Sequence, residues 1–86
     1  MKSKLTLLAF LANFIAASAF AAPVNINTAS VSEIAQSLSG VGTTKAQAIV
    51  EYREQNGQFK SAGDIVLVNG IGQSTYVKNK QDILIK

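Results

Sequence analysis

Ser39-Gly40-Val41-Gly42 decides how this chain is read, because the same phrase returns as Asn69-Gly70-Ile71-Gly72. Each copy is glycine, aliphatic, glycine, and the two lie 30 residues apart in register, which marks an internal repeat. Two glycines around one apolar residue predict a tight turn that buries the middle side chain. Such a turn brings the backbone close to the surface with its N–H groups uncovered. Where it opens a helix, the free N–H groups and the helix dipole suit an anion such as phosphate.

Outward from the first copy, Ser30-Val31-Ser32-Glu33 is a capping box, and Ile34, Ala35 and Leu38 give the short helix behind it an inward face. A second helix is predicted from Thr43 or Thr44 to Asn56, with Ala46, Ile49, Val50 and Arg53 on one stripe, broadened by Ala48 and Tyr52. The stem of Arg53 extends that stripe, with its head in solvent or on a carboxylate. Asn56-Gly57 is the stop signal. Ser61-Ala62-Gly63-Asp64 starts the next element, with Asp64 as a cap and Asp82, further on, at the surface. Ile65-Val66-Leu67-Val68 alone suits a strand, but its place before Gly70 matches Ile34–Leu38 before Gly40 and predicts a helical turn. The last element runs from about Gln73 to Ile83, and Ile83-Leu84-Ile85 closes the core or extends beside it. Pro23–Ala29 is an extended lead-in. Two helix–turn–helix units therefore repeat, joined by Asn56–Lys60, and packing one on the other buries what neither buries alone.

The first 21 residues read differently. Lys2 and Lys4 precede an apolar run from Leu5 to Ala17, and Ala19-Phe20-Ala21 fits a small-x-small cleavage site. The run is shorter than the roughly 18 residues of a spanning helix, so a secretory signal peptide over 1–21 and a domain over 22–86 are expected. The formal charge of the whole chain is +3; without Lys2 and Lys4, six basic residues face five acidic ones, a balance of +1. Overall charge is thus weak support for a nucleic-acid partner. Cysteine and histidine are absent, which excludes disulfides, thiolate or imidazole metal sites and any His- or Cys-based triad. No cofactor or metal is expected.

Val24-Asn25-Ile26-Asn27-Thr28-Ala29, Gly40-Val41-Gly42-x-x-Lys45-Ala46-x-Ala48-Ile49, Tyr52-Arg53, Gly57, Phe59-Lys60 and Gly70-Ile71-Gly72 together resemble the ComEA family of competence DNA receptors. The resemblance covers essentially all of the chain after the signal. It implies an all-α tandem helix-hairpin-helix domain that binds double-stranded DNA without sequence preference, seating its two-fold on the two backbones across the minor groove. It also implies a role with the DNA-uptake machinery of natural transformation. Only Ala22 and Pro23 separate the expected cut from the first motif, and a short secreted form of this kind fits a Gram-negative periplasm. The chain departs from the family at Ser39, where proline is common, and at Gln73 and Ser74, where charge is frequent.

In this reading, backbone N–H groups at Gly40, Gly42, Gly70 and Gly72 bind phosphate oxygens, with Val41 and Ile71 anchoring the turns. Thr43, Thr44, Gln73, Ser74 and Thr75 add polar contacts, Lys45 and Lys78 add charge, and Lys60 and Lys80 are weaker candidates. Against this, one Gly-aliphatic-Gly alone reads better as a helix C-cap followed by a new helix, and lysines more often line a solvated face. Two copies in register favour the binding turn. Tyr52, Phe59 and Tyr76 are expected in the core, and Arg53 is expected to serve packing or a salt bridge. The competing function is an exported protein-interaction module without DNA. Catalysis is not expected, since the chain is too short for a base-processing pocket.

Overall fold

The computed structural model describes residues 22–86; the expected signal peptide lies outside them. Strand β1 (Val24–Asn25) leads into helix α1 (Val31–Ser37), the first hairpin, and helix α2 (Thr43–Asn56). A 3-10 helix (Ala62–Leu67), the second hairpin, helix α3 (Gln73–Asn79), a 3-10 turn (Lys80–Asp82) and strand β2 (Ile83–Leu84) follow. The frame is helical, as expected. The addition is a parallel pairing of β1 with β2, Val24 against Ile83 and Asn25 against Leu84, continued by Ile26 N–H to the Leu84 carbonyl at 3.0 Å. A pairing of two residues between distant segments leaves no local pattern to read. The last helical element keeps its expected extent, with α3 giving way at Lys80 to the 3-10 turn that runs to Asp82, directly before β2.

Local rules account for most boundaries. The Ser30 hydroxyl accepts from Glu33 N–H at 3.1 Å, and Glu33 Oε1 accepts from Ser30 N–H at 2.9 Å, which completes the capping box. Gly57 ends α2 at φ +93°, donating its N–H to the Arg53 carbonyl at 2.9 Å. The run before Gly70 is helical but tighter than an α-helix. Val68 N–H bonds the Ile65 carbonyl at 3.1 Å, which turns Ile65 and Val68 inward. Asp64 Oδ2 accepts Lys60 N–H at 3.4 Å, a long bond that tethers the residue before the turn.

One core joins both units: Ile26, Ile34, Ile49 and Ile65 are fully buried, with Leu38, Val41, Ala46, Phe59, Val68, Ile71 and Ile83 packed around them. Phe59 stacks on Tyr52 with centroids 5.3 Å apart; Phe59 is buried, while Tyr52 and Tyr76 are half-buried. Polar side chains fasten the connections. Asn27 accepts Phe59 N–H at 2.7 Å and donates to the Phe59 carbonyl at 3.1 Å. Arg53 Nη1 donates to the carbonyls of Ile26 and Ala29, both at 2.8 Å. The expected solvent or carboxylate partner of Arg53 is thus replaced by two main-chain oxygens. The lead-in bends into a turn, with Ala29 N–H on the Asn25 carbonyl at 2.8 Å, and this turn exposes those oxygens to Arg53.

The two hairpins repeat atom for atom in their turns. Leu38 carbonyl accepts Val41 N–H at 3.4 Å, and Val68 carbonyl accepts Ile71 N–H at 3.0 Å. Gly40 and Gly70 hold the third position at φ +76° and +93°, a conformation costly for any residue with a Cβ. Proline suits the second position of such a turn, yet the two sites differ. Ser39 N–H donates to the Asn79 side chain at 2.7 Å, whereas Asn69 N–H has no acceptor among the described residues. Leu38 and Val68 are both extended, as a residue before proline must be. Asn69→Pro is therefore expected to stabilise the fold by about 0.4–1 kcal/mol. Ser39→Pro should destabilise it by about 1–2 kcal/mol, because it leaves a buried acceptor short of a donor. Thermal melts of the two variants, moving in opposite directions, check both signs.

Candidate nucleic-acid interface

Each hairpin turn delivers its chain directly into a helix. Gly42 is the N-cap of α2 and Gly72 the N-cap of α3, both extended, and neither helix has a side-chain cap. The first main-chain bonds run from Ala46 N–H to the Gly42 carbonyl at 2.9 Å and from Tyr76 N–H to the Gly72 carbonyl at 3.2 Å. The N–H groups of Thr43, Thr44 and Lys45, and of Gln73, Ser74 and Thr75, thus precede the first intrahelical bond of their helices. The contrast with α1 is informative. Where no hairpin precedes the helix, the chain closes the terminus with Ser30 and Glu33; at both hairpins it leaves the donors open.

The candidate residues divide by exposure. Val41 and Ile71 are buried at 2% and 4% exposure, so they anchor the turns and offer only main chain outward. Gly40, Gly42, Thr43, Thr44, Gly70, Gly72, Gln73, Ser74 and Lys78 are exposed, and Lys45 and Thr75 are half-buried. A methyl group built on Gly42 or Gly72 would meet nothing within 4 Å, so the space before both helices is open. A methyl on Gly40 would lie 3.7 Å from Lys78 Nζ, and one on Gly70 would lie 3.9 Å from Lys45 Cγ. Each lysine therefore approaches the hairpin of the other unit. By sequence, Lys45 belongs with Gly42 and Lys78 with Gly72; in space the Lys45 stem lies against the second turn and the Lys78 ammonium against the first.

Asn79 is the residue that sequence reasoning missed. It is 1% exposed, the only polar side chain buried to that degree among the described residues. Its Oδ1 accepts Ser39 N–H at 2.7 Å, and its Nδ2 donates to the carbonyls of Ser39 and Thr75, each at 2.9 Å. The amide thereby ties the end of α3 to the first turn. The repeat register carries a signal for it. Thirty residues earlier stands Ile49, fully buried, so an asparagine in that slot is a polar residue at a core position. Lys60 and Lys80 are exposed, and nothing described brings them to either turn. Among the described residues no group of three carboxylates or other metal-ligating side chains converges, and no helix is long and apolar enough to cross a membrane.

The family model for the helix-hairpin-helix motif matches residues 20–84. ComE operon protein 1 of Bacillus subtilis is 51% identical over 63 residues, covering 73% of this chain and 30% of that protein. An uncharacterized protein of Haemophilus influenzae is 51% identical over 61 residues, covering 71% of this chain and 54% of its own length. The human endonuclease/exonuclease/phosphatase family domain-containing protein 1 is 42% identical over 62 residues, which are only 11% of it. The chain thus spans between about a third and about half of the first two relatives, and a small part of the third. A match across both hairpins, the lead-in and the closing strand leaves the assignment plain: the chain belongs to the helix-hairpin-helix family, as a ComEA-like member.

Proposed function

We propose that this protein binds double-stranded DNA through its phosphate backbone, without sequence preference, and that it acts in DNA uptake. The observation that carries this reading is the pair of uncapped glycine N-caps, Gly42 and Gly72, each following a turn whose other glycine, Gly40 or Gly70, has a lysine side chain against it, on a chain that caps its remaining α-helix with its own side chains. Phosphate contacts made by main-chain N–H groups position a duplex but read no bases. The name of the Bacillus relative, a ComE operon protein, supports competence as the setting. The signal-like character of residues 1–21 supports export, cleavage after Ala21, a working domain over 22–86 and a periplasmic location. The chain acts as a binding protein and not as an enzyme; the endonuclease-named relatives align over this module alone, on 11% of their length.

Gel shifts of the purified protein test the reading. Duplexes of unrelated sequence should shift about equally, with a shallow salt dependence of about −0.9 in log K per phosphate neutralised. Lys45→Glu should weaken binding several-fold and leave the helical circular dichroism unchanged, since only the stem of Lys45 is packed. Absence of any shift at low salt by folded protein would favour the protein-interaction reading instead.

A further inference from the structure

We propose that the two units exchange their lysines. Lys78, carried by the second unit, supplies the cation for the phosphate at the first hairpin. Lys45, carried by the first, does so at the second. This rests on the duplex-binding reading and specifies how that site is assembled. Three observations place the two lysines. Lys78 Nζ lies 3.7 Å from where a Gly40 side chain would begin, and the Lys45 stem lies 3.9 Å from the corresponding point on Gly70. The residue after Lys78 is Asn79, whose amide holds the main chain of Ser39 at 2.7 and 2.9 Å, so the end of α3 is fixed against the first turn. On the other side, Ala48, Glu51, Tyr52 and Gln55 of α2 share a recess with Val68 and Asn69 of the second turn. Lys45, Ala48 and Tyr52 follow one face of α2 at helical spacing, so Lys45 continues that face toward Gly70.

The consequence is that neither unit is a complete phosphate site. Main-chain donors come from one unit and the ammonium from the other, so the docking of the units builds the site. Each lysine side chain reaches from its own unit to the turn of the other. A lysine on its own first helical turn would instead place a positive charge at the positive end of the helix dipole, which is unfavourable. That cost bears on Lys45, the third residue of α2, whose stem leads toward Gly70; Lys78 stands in the last turn of α3, where a cation complements the dipole.

Double-mutant cycles test this on the whole protein, by fluorescence anisotropy with a labelled duplex at low salt. Gly42→Asn and Gly72→Asn each close one hairpin by self-capping without adding charge, in open space and at ordinary φ. Lys78→Gln is expected to weaken wild-type binding about five- to ten-fold, the loss of one phosphate contact. On the Gly42→Asn background that effect should shrink to less than about two-fold, and on Gly72→Asn it should persist in full. Lys45→Gln should show the mirror pattern. Coupling of each lysine to its own hairpin, or additivity in all four cycles, overturns the exchange and leaves DNA binding standing. Failure of the wild-type protein to bind the duplex overturns both.

Discussion

Gly42→Asp is expected to make the protein more stable and a much poorer ligand for DNA. Gly42 sits at the N-cap of a helix of 14 residues, with φ −83° and ψ −170°, a conformation that any residue adopts. Its neighbourhood is empty within 4 Å of the point where a side chain would begin. Aspartate there would accept a hydrogen bond from the first turn, complement the helix dipole and restrict the unfolded chain, together about 1 kcal/mol of stabilisation. The same carboxylate would occupy the donors proposed for phosphate and repel the anion. Hydrogen bonds to a charged group are worth about 1.5–3 kcal/mol, so duplex affinity should fall roughly 10- to 100-fold. A thermal melt and an anisotropy titration on the same sample check both signs. A helix terminus of no functional use would gain the stability and lose no binding. On this account the glycine is kept for the donors it leaves free, at a cost to the fold.

Asn79→Leu is expected to have the largest effect on stability. The substitution gives the second unit an apolar residue where the first has Ile49, with the same branching and number of side-chain heavy atoms as asparagine. What is lost is three hydrogen bonds, two of them to the main chain of Ser39 across the unit boundary. Each contributes about 1 kcal/mol net, and the leucine returns part of it through apolar burial, leaving a loss of about 2 kcal/mol. For a domain of this size that lowers the melting temperature by roughly 10 °C. DNA binding should fall further than the stability change alone explains, measured at a temperature where the variant is fully folded. The reason is that the amide fixes the first turn against the segment bearing Lys78. A variant that melts early and binds normally would show that the bond holds the fold together without shaping the site.

Much of this molecule is legible one segment at a time. The Gly-aliphatic-Gly repeat, the capping box at Ser30 and Glu33 and the stop at Gly57 are local chemistry, and the structure holds each as read. Even the helical character of Ile65–Val68 followed from register with the first unit, although tightness of the turn did not. What escaped reading is what joins the units. Asn79 reaches a residue 40 positions away, Arg53 reaches carbonyls 24 and 27 positions away, and β1 pairs with β2 across nearly the whole described chain. No spacing rule encodes such contacts. The lysines show the consequence for the site: sequence adjacency puts Lys45 with Gly42, and packing carries its stem to Gly70. The Val24–Ala29 motif is likewise a structural clasp. Asn25 and Asn27 bond main-chain groups of Asn27, Phe59 and Lys86, and none of these bonds lies at a hairpin.

Main-chain N–H groups at the two hairpins are proposed to hold the phosphates of a duplex. Backbone amide chemical shifts, followed by NMR during titration with a short duplex, test it most directly because they report each N–H separately. The largest shifts, downfield as charge-assisted bonds form, are expected at Gly40, Gly42, Thr43, Thr44 and Lys45 and at Gly70, Gly72, Gln73, Ser74 and Thr75. Small shifts are predicted for Asn25, Asn27 and the exposed outer face at Leu67. Tight binding with the hairpin amides unmoved, and the shifts gathered on another surface, would contradict it.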